Sequence, residues 1–206
     1  MFLNREEAGI RLALLLSREK LRNAIIVAIP RGGVIVGKAV SEILKARLRV
    51  LIVKKISTPQ NPELAIGAVG SLAIVFWDKN LINRIGISEK EKEKAFRQTV
   101  KTIKIREKSL GIKAPVVRGK TSVVIDDGVA TGATAIAASM ILKKLGSQKI
   151  ILATPVISKN TKKKLEKYFD KIISVETPHD FQAVGQFYKE FPQIADQEVR
   201  KTLNSK

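Results

Sequence analysis

Short runs of Ile and Val alternate with stretches of helical periodicity, and this pattern constrains the fold of the 206-residue chain more than any other feature. Apolar residues at helical spacing predict helices over 34–48 and over about 132–145, the second ending at Gly146. The Ile/Val runs predict strands at 24–29, 49–56, 121–126, 149–156 and 171–176. Strands without a polar face that alternate with helices are typical of parallel strands covered on both sides. We therefore predict an α/β fold with a doubly wound, mostly parallel sheet.

Two segments depart from this alternation. The segment 64–87 has apolar runs interrupted by glycines and by the turn-like residues 78–80, and it predicts antiparallel strands attached to the sheet edge. Ser88 with Glu91 three residues later predicts the capping box of a surface helix that ends at Gly111.

The N-terminal segment and the absence of cysteine exclude several classes of protein. An apolar run over 12–16 is far shorter than the roughly 20 residues of a membrane span, and no small-residue cleavage site follows it. Ala8, Leu12, Leu15 and Leu16 share a helical face, so we predict an amphipathic helix. Without Cys there is no disulfide framework, thiolate nucleophile or thiolate metal site. We expect a cytoplasmic protein with no membrane partner.

The charge is strongly basic, with 38 Lys and Arg against 19 Asp and Glu and a formal net charge of +19. A nucleic-acid surface, a site for an anionic small molecule and a lysine-rich solvated surface are the three interpretations. Basic residues are spread through 90–120 and 143–171 without the aromatic and basic cluster of RNA-binding sheets. This spread favours the solvated surface and leaves nucleic acid as the alternative.

A turn of small residues follows the predicted strand 121–126, in the sequence VVIDDGVATGATA at 123–135. Gly128 and Gly132 allow the backbone to turn tightly and to expose consecutive N–H groups. Thr131 and Thr134 add hydroxyl donors, and a helix begins near Gly132. Together these features predict a phosphate cradle, although the Gly-Lys-Ser/Thr ending of a Walker A loop is missing.

Two adjacent carboxylates, Asp126 and Asp127, stand directly before this turn. They would repel a phosphate unless they faced another group, and hydroxyls or a metal ion are the natural partners. In an open parallel sheet, ligands bind beyond the carboxyl ends of the strands. The motif therefore predicts a ligand with a phosphate at one end and a sugar diol beside it.

The stretch 123–135 closely resembles the ribose-phosphate signature of the type I phosphoribosyltransferase family. The resemblance extends to AIPRGGVIVG (28–37), which looks like the loop that contacts pyrophosphate, and to KKISTPQNPELAIGAV (54–69), in the place of a mobile loop. FQAVGQFYKEFPQIADQEV (181–199) is similar to the end of one branch of that family, whose acceptor is uncharacterised. The resemblance implies one domain over 1–206, with a core at about 20–175, a flexible loop and flap at about 55–87, and a hood formed by about 176–206 and the N-terminal helix.

The resemblance also implies roles for individual residues on 5-phosphoribosyl-1-pyrophosphate. Asp126 and Asp127 would be the catalytic pair, accepting hydrogen bonds from the ribose hydroxyls and favouring positive charge on the ribose. Mg²⁺ would be bound through the substrate pyrophosphate and ribose hydroxyls, with no direct protein ligand. The other implied contacts are Val129, Ala130, Thr131, Gly132, Ala133 and Thr134 on the 5′-phosphate; Arg31, Gly32, Gly33 and one of Lys54 or Lys55 on the pyrophosphate; and Phe181, Phe187 and Tyr188 of the hood on the acceptor.

Some of these assignments keep alternatives. Packing onto the core is the favoured alternative for the three hood aromatics. His179 is a candidate general base for which a structural role is favoured, whereas Glu63 fits a structural role as well as a catalytic one. Gly128 departs from the larger aliphatic residue common after the acidic pair. The predicted function is Mg²⁺-dependent transfer of ribose 5-phosphate to a nucleobase-like nitrogen acceptor, with release of pyrophosphate, by an expected homodimer. The alternative is a sugar-phosphate sensor that does not catalyse and that binds nucleic acid through its basic surface.

Overall fold

The computed structural model describes residues 1–58 and 64–205. The helices of these residues are α1 (Arg5–Leu16), α2 (Gly32–Leu44), α3 (Lys79–Ile85), α4 (Glu89–Leu110), α5 (Ala133–Lys144), α6 (Lys159–Leu165) and α7 (Asp196–Asn204). The strands are β1 (Ala24–Ala28), β2 (Arg47–Val50), β3 (Val53–Ser57), β4 (Ala65–Gly70), β5 (Val75–Trp77), β6 (Thr121–Ile125), β7 (Lys149–Val156) and β8 (Lys171–Glu176).

Five strands form a parallel sheet in the order β2-β1-β6-β7-β8. The register pairs Ala28 at the end of β1 with Ile125 at the end of β6, and Ile125 with Ala153 of β7. The chain proceeds outward from β1 to β2 and then returns to the other side of β1 with β6. This reversal of direction makes the β1–β6 boundary the switch point of the sheet, where ligands of such folds bind.

Both faces of this sheet are buried, as the strands without a polar face predict. Ile25 and Val27 of β1 belong to a core cluster with α5, whereas Ile26 belongs to a second cluster with α1 and α2. The prediction of a doubly wound, mostly parallel α/β fold is confirmed, and the capping box of α4 is present with both of its Ser88–Glu91 hydrogen bonds.

The segment 49–56, predicted as one strand, is instead two strands in two sheets. The N–H of Leu51 still donates to the carbonyl of Ala28 at 3.0 Å, but the carbonyl of Ile52 accepts from Ser71 N–H at 3.2 Å. The chain therefore exchanges its partner between these two residues, and β3 pairs with β4 in a separate antiparallel sheet, β3-β4-β5.

The prediction for 64–87 is correct for its antiparallel strands and wrong in two respects. The strands form their own sheet rather than an edge of the parallel one, and residues 79–85 form helix α3. Asp78 caps this helix by accepting from Leu81 N–H, and Gly86 ends it at φ +65°. The residues that suggested a turn are therefore the cap of a short helix. Helix α7, within the segment predicted to form the hood, was also not predicted.

Across residues 1–58 and 64–205, no helix is long and apolar enough to cross a membrane.

Candidate active site at the β1 and β6 strand ends

The loops that follow β1 and β6 meet at the switch point. The N–H of Ile29 donates to the carbonyl of Ile125 at 2.8 Å, which holds the two strand ends together. A Cβ placed on Gly33 would lie 2.7 Å from that same carbonyl oxygen and 3.0 Å from Cα of Asp126. Only glycine allows this approach, so the Gly32-Gly33 turn and the acidic pair form one site.

The first acid of the pair, Asp126, is in an unfavourable environment for a carboxylate. Burial raises the pKa of Asp126 well above its usual range, and the neighbouring charge of Asp127 raises it further. The N–H of Asp127, which donates to Oδ1 of Asp126 at 3.0 Å, opposes this rise. A carboxylate of this kind is stabilised by any cation or hydroxyl donor that enters the site.

The second acid, Asp127, is paired with a residue that sequence reasoning did not select. Arg5 of α1 donates through Nε to Oδ2 of Asp127 at 2.7 Å, and the two side chains are only 8% and 16% exposed. The sequence places Arg5 in a charged N-terminal segment 122 positions away. An arginine at the start of an amphipathic helix is the only local signal, and it does not distinguish a buried partner from a solvated one.

The C-terminal segment covers the acidic pair from the other side. Tyr188 is 5% exposed, and its hydroxyl donates to the backbone carbonyl of Asp127 at 2.6 Å. Burial, followed by the Asp127 charge, raises the pKa of Tyr188 far above its usual value, so the phenol remains a donor. Its ring packs between Phe2 and Phe191. Tyr188 therefore anchors the hood, while Phe181 and Phe187 stack on each other and keep half-buried rings.

Gly128 is required by the same hood. A Cβ at this position would lie 2.3 Å from Cγ1 of Val184, in the short 3-10 turn Val184–Phe187. A larger aliphatic residue at position 128 would clash with Val184 of the hood. Glycine at this position leaves the space that the Val184 side chain occupies.

The predicted phosphate loop presents a row of unpaired donors. The N–H of Val129 donates to Val156, and that of Ile136 donates to Gly132. The N–H groups of 130–135 lie between these two, and among the residues that the structure describes none of them donates to a protein acceptor. Gly132 reaches this geometry at φ +77°, and α5 begins at the next residue. Consecutive free N–H groups at a helix N-terminus are suited to bind an anion.

Helix α6 supports this loop from behind. The hydroxyl of Thr161 donates to the carbonyl of Ala130 at 2.7 Å, and Leu165 packs against Gly132, where a Cβ would lie 2.8 Å from its Cδ2. Ser158 in turn caps α6 by accepting from Thr161 N–H at 3.2 Å. The loop is therefore tethered by a single hydroxyl and a leucine side chain from a helix about 30 residues away in the sequence.

We expect the Thr161→Val variant to bind a phosphorylated ligand about fivefold to tenfold more weakly, because Val retains the shape of Thr but loses the hydrogen bond to Ala130. The stability of the fold should change by less than about 1 kcal/mol, since solvent reaches the exposed Ala130 carbonyl. Thr161→Ser keeps the hydroxyl and is the matched control. Equal affinity of Thr161→Val and wild type in a calorimetric titration would contradict a role for the tether.

Several other predicted residues make no hydrogen bond or ion pair with the acidic pair in the described parts of the chain. Arg31 is exposed at the start of α2, after a cis Pro30–Arg31 peptide bond. Lys54 and Lys55 are exposed on β3 and line a cleft against α4. No contact joins either lysine to the acidic pair in the described residues. His179 is exposed as well, and Glu63 lies outside the described residues.

The residues of the site do not form a cage for a metal ion. In the described ranges, no group of three His, Cys, Asp or Glu side chains is placed to hold a metal. Asp127 is already bound to Arg5, and Oδ1 of Asp126 accepts from a backbone N–H.

The fold and the site together define an α/β protein with an acidic pair and a turn of free N–H groups at its switch point. Residues 3–190 match the family model described as the phosphoribosyl transferase domain, and the chain belongs to this family. The predicted family and its type I phosphoribosyltransferase fold are confirmed.

Individual relatives agree with this assignment. The chain is 32% identical over 201 residues to proteins named "Putative phosphoribosyl transferase" in two strains of Mycobacterium tuberculosis, CDC 1551 / Oshkosh and H37Rv. The match covers 97% of this chain and 45% of each relative, so the chain spans about half the length of the curated relatives it matches.

Solved structures give the same fold. The crystal structure of TT1426 from Thermus thermophilus has a TM-score of 0.89 and 30% identity, and the match covers 98% of this chain and 97% of that chain. The APRTase of Giardia lamblia complexed with 9-deazaadenine has a TM-score of 0.50 and 13% identity, over 85% of this chain and 80% of that chain. The second likeness shows the fold alone.

Proposed function

We propose that this chain transfers ribose 5-phosphate from 5-phosphoribosyl-1-pyrophosphate to a nitrogen nucleophile and releases pyrophosphate. The observation that carries the proposal is the junction of a partly buried acidic pair with a row of free N–H groups at one strand end. A ribose 5-phosphate carries a diol and a phosphate in one molecule, and these are the groups that carboxylates and free N–H donors would bind. Membership of the phosphoribosyl transferase domain family supports the same reaction class.

The acids would act on the sugar. Displacement at C1′ passes through a state in which positive charge develops on the ribose ring. Ionised Asp126 would accept from a ribose hydroxyl, which replaces the water that burial removes, and its negative field would favour the developing cation. The pair would thus stabilise the transition state more than the ground state, which is the requirement for catalysis.

The two ends of the substrate would be held by backbone donors. The N–H groups of 130–135 would bind the 5′-phosphate. Those of Gly32 and Gly33, which have no acceptor in the described parts of the chain, would face the pyrophosphate together with the Arg31 side chain. Such positioning contributes much of the rate in reactions of this kind. Lys54 or Lys55 would join them only if the antiparallel sheet moved toward the switch point.

Magnesium fits this site as part of the substrate. Mg²⁺ prefers oxygen ligands, keeps several waters and usually binds through substrate phosphates. The bound state of Asp127 and the absence of a three-residue ligand cluster among the described residues are consistent with that mode. The ion would supply positive charge to the leaving pyrophosphate.

The proposal is tested by isothermal titration of the chain with 5-phosphoribosyl-1-pyrophosphate and Mg²⁺. We expect a dissociation constant below about 1 mM, equivalent to at least about 4 kcal/mol of binding free energy. Ribose 5-phosphate alone should bind more weakly because it makes no contact at Gly32 and Gly33. No binding of the pyrophosphorylated sugar at millimolar concentration would overturn the proposal.

The acceptor would be found by screening nucleobases and other amines for pyrophosphate release. The half-buried Phe181–Phe187 pair is the surface on which a planar acceptor would stack. A cytoplasmic location, a homodimer and a place in nucleotide metabolism belong to the same proposal.

A further inference from the structure

Arg5 is bound by two separate parts of the chain besides its own helix. Its Nε donates to Oδ2 of Asp127 at 2.7 Å, and its Nη1 donates to the carbonyl of Pro192 at 2.8 Å. Its guanidinium lies 3.7 Å from the centre of the Phe191 ring. Arg5 is 7% exposed. One side chain therefore joins α1, the acidic pair and the C-terminal hood.

Stability alone is a weak reason for such an arrangement. Two charges lose hydration free energy when they are removed from water, and their mutual attraction often does no more than offset this loss. Apolar residues of similar size commonly stabilise a fold equally well. The backbone also excludes any side chain beside the pair, since a Cβ on Gly32 would lie 1.8 Å from Oδ2 of Asp127 and 2.7 Å from Nε of Arg5. The site thus keeps a charged pair and a glycine where packing would favour larger apolar groups.

We propose that Arg5 is a positioning residue of this site: it holds the carboxylate of Asp127 in one orientation and ties it to the hood segment 188–192. The inference rests on the proposed function, since it concerns the same ribose site. The planar guanidinium fits this task because its donors have fixed directions and its face packs on an aromatic ring. Tyr188 makes the second link, from its hydroxyl to the Asp127 carbonyl.

The charge of Arg5 has a separate effect on Asp126. Burial and Asp127 raise the pKa of Asp126, whereas the positive charge of Arg5 lowers it. The other titratable group close to the pair is Tyr188, which is a neutral donor, with Glu176 beyond it. Loss of the Arg5 charge is therefore expected to raise the pKa of Asp126 further, so that ligand binding is lost at a higher pH as the solution is acidified.

The test compares Arg5→Lys and Arg5→Gln with wild type by titration with 5-phosphoribosyl-1-pyrophosphate and Mg²⁺ at several pH values. Arg5→Lys keeps the positive charge but cannot make both hydrogen bonds, to Asp127 and to the Pro192 carbonyl. We therefore expect about tenfold weaker binding, with the loss of binding at low pH (the acid limb of the profile) unchanged. Arg5→Gln should show weaker binding and an acid limb moved to higher pH. Arg11→Gln, on the exposed side of the same helix, is the matched control and should behave as wild type.

The outcomes separate the two proposals. Failure of the wild type to bind would overturn the proposed function and this inference with it. Binding by the wild type that neither Arg5 variant alters would overturn the inference alone. A purely structural role would lower the folded fraction of both variants, measured by urea unfolding, and leave the affinity and acid limb of the folded molecules unchanged. If Arg5→Gln does not fold, the affinity of Arg5→Lys decides the question.

Discussion

Replacement of Asp126 by Asn is expected to reduce pyrophosphate release about 100-fold to 1000-fold, the usual effect of removing one preorganised electrostatic group from an active site. The amide still fits the space and can still contact a ribose hydroxyl. It has no negative charge, however, and cannot favour the cation that develops on the sugar. The double variant Asp126→Asn/Asp127→Asn should release no measurable pyrophosphate.

The same substitution should stabilise the fold near neutral pH. The folded protein binds a proton on Asp126 more readily than the unfolded chain, in which the group has its ordinary pKa of 3.8. The wild type therefore loses stability as pH rises from about this value through the raised pKa of the folded state. Asn does not titrate, so the advantage of the variant should be absent near pH 4, grow through that window and be complete above it.

Asp127→Asn is the informative comparison, because its effect on stability has the opposite sign. It leaves the buried Arg5 without a counter-charge, and we expect a loss of about 3 kcal/mol. Urea unfolding at pH 4 and pH 7 measures both effects. Equal stability of Asp126→Asn and wild type at pH 7 would contradict the environment described for Asp126, and unchanged pyrophosphate release would contradict its role.

The second large effect is expected at Gly32. In Gly32→Ala the new Cβ would lie 1.8 Å from Oδ2 of Asp127, so this carboxylate must swing away. It would then leave Nε of Arg5, which itself would lie only 2.7 Å from the new Cβ. We expect a loss of about 3–5 kcal/mol, the range for a broken buried ion pair, and the loss of binding of the pyrophosphorylated sugar.

Gly111→Ala is the control for this substitution. Gly111 ends α4 at φ +65°, and a Cβ there would meet nothing within 4 Å. Only backbone strain opposes the substitution, so the loss of stability should be about 1–2 kcal/mol with unchanged ligand binding. If Gly32→Ala is as stable as Gly111→Ala, the Arg5–Asp127 ion pair tolerates the extra carbon atom. The packing at Gly32 would then not constrain the position of this ion pair.

Most of the fold could be predicted because its signals are local. The strand 149–156 and the capped helix after Ser88 lie where the pattern predicts them, since side-chain periodicity and caps act over a few residues. The exchange of partners at Leu51 and Ile52 could not be predicted, because both residues are equally apolar and only the neighbouring strands decide where each one pairs.

The candidate site divides in the same way. The acidic pair and the loop over 129–134 are adjacent in sequence, so their chemistry could be recognised from residue types and spacing. The roles of Arg5, Thr161 and Val184 could not, since each reaches the site from an element whose own sequence indicates only a surface helix or a loop. Each of these contacts exists because a separate helix or turn packs beside the switch point.

The amino-acid sequence by itself determined the parallel sheet, the acidic pair and the glycine-containing turn after it, because backbone preferences and short-range hydrogen bonds specify them. Only the tertiary structure decided which acid is paired and which is free. That choice depends on the docking of α1 and the hood, which brings Arg5 across 122 positions to Asp127 and leaves Asp126 without a cation in direct contact among the described residues.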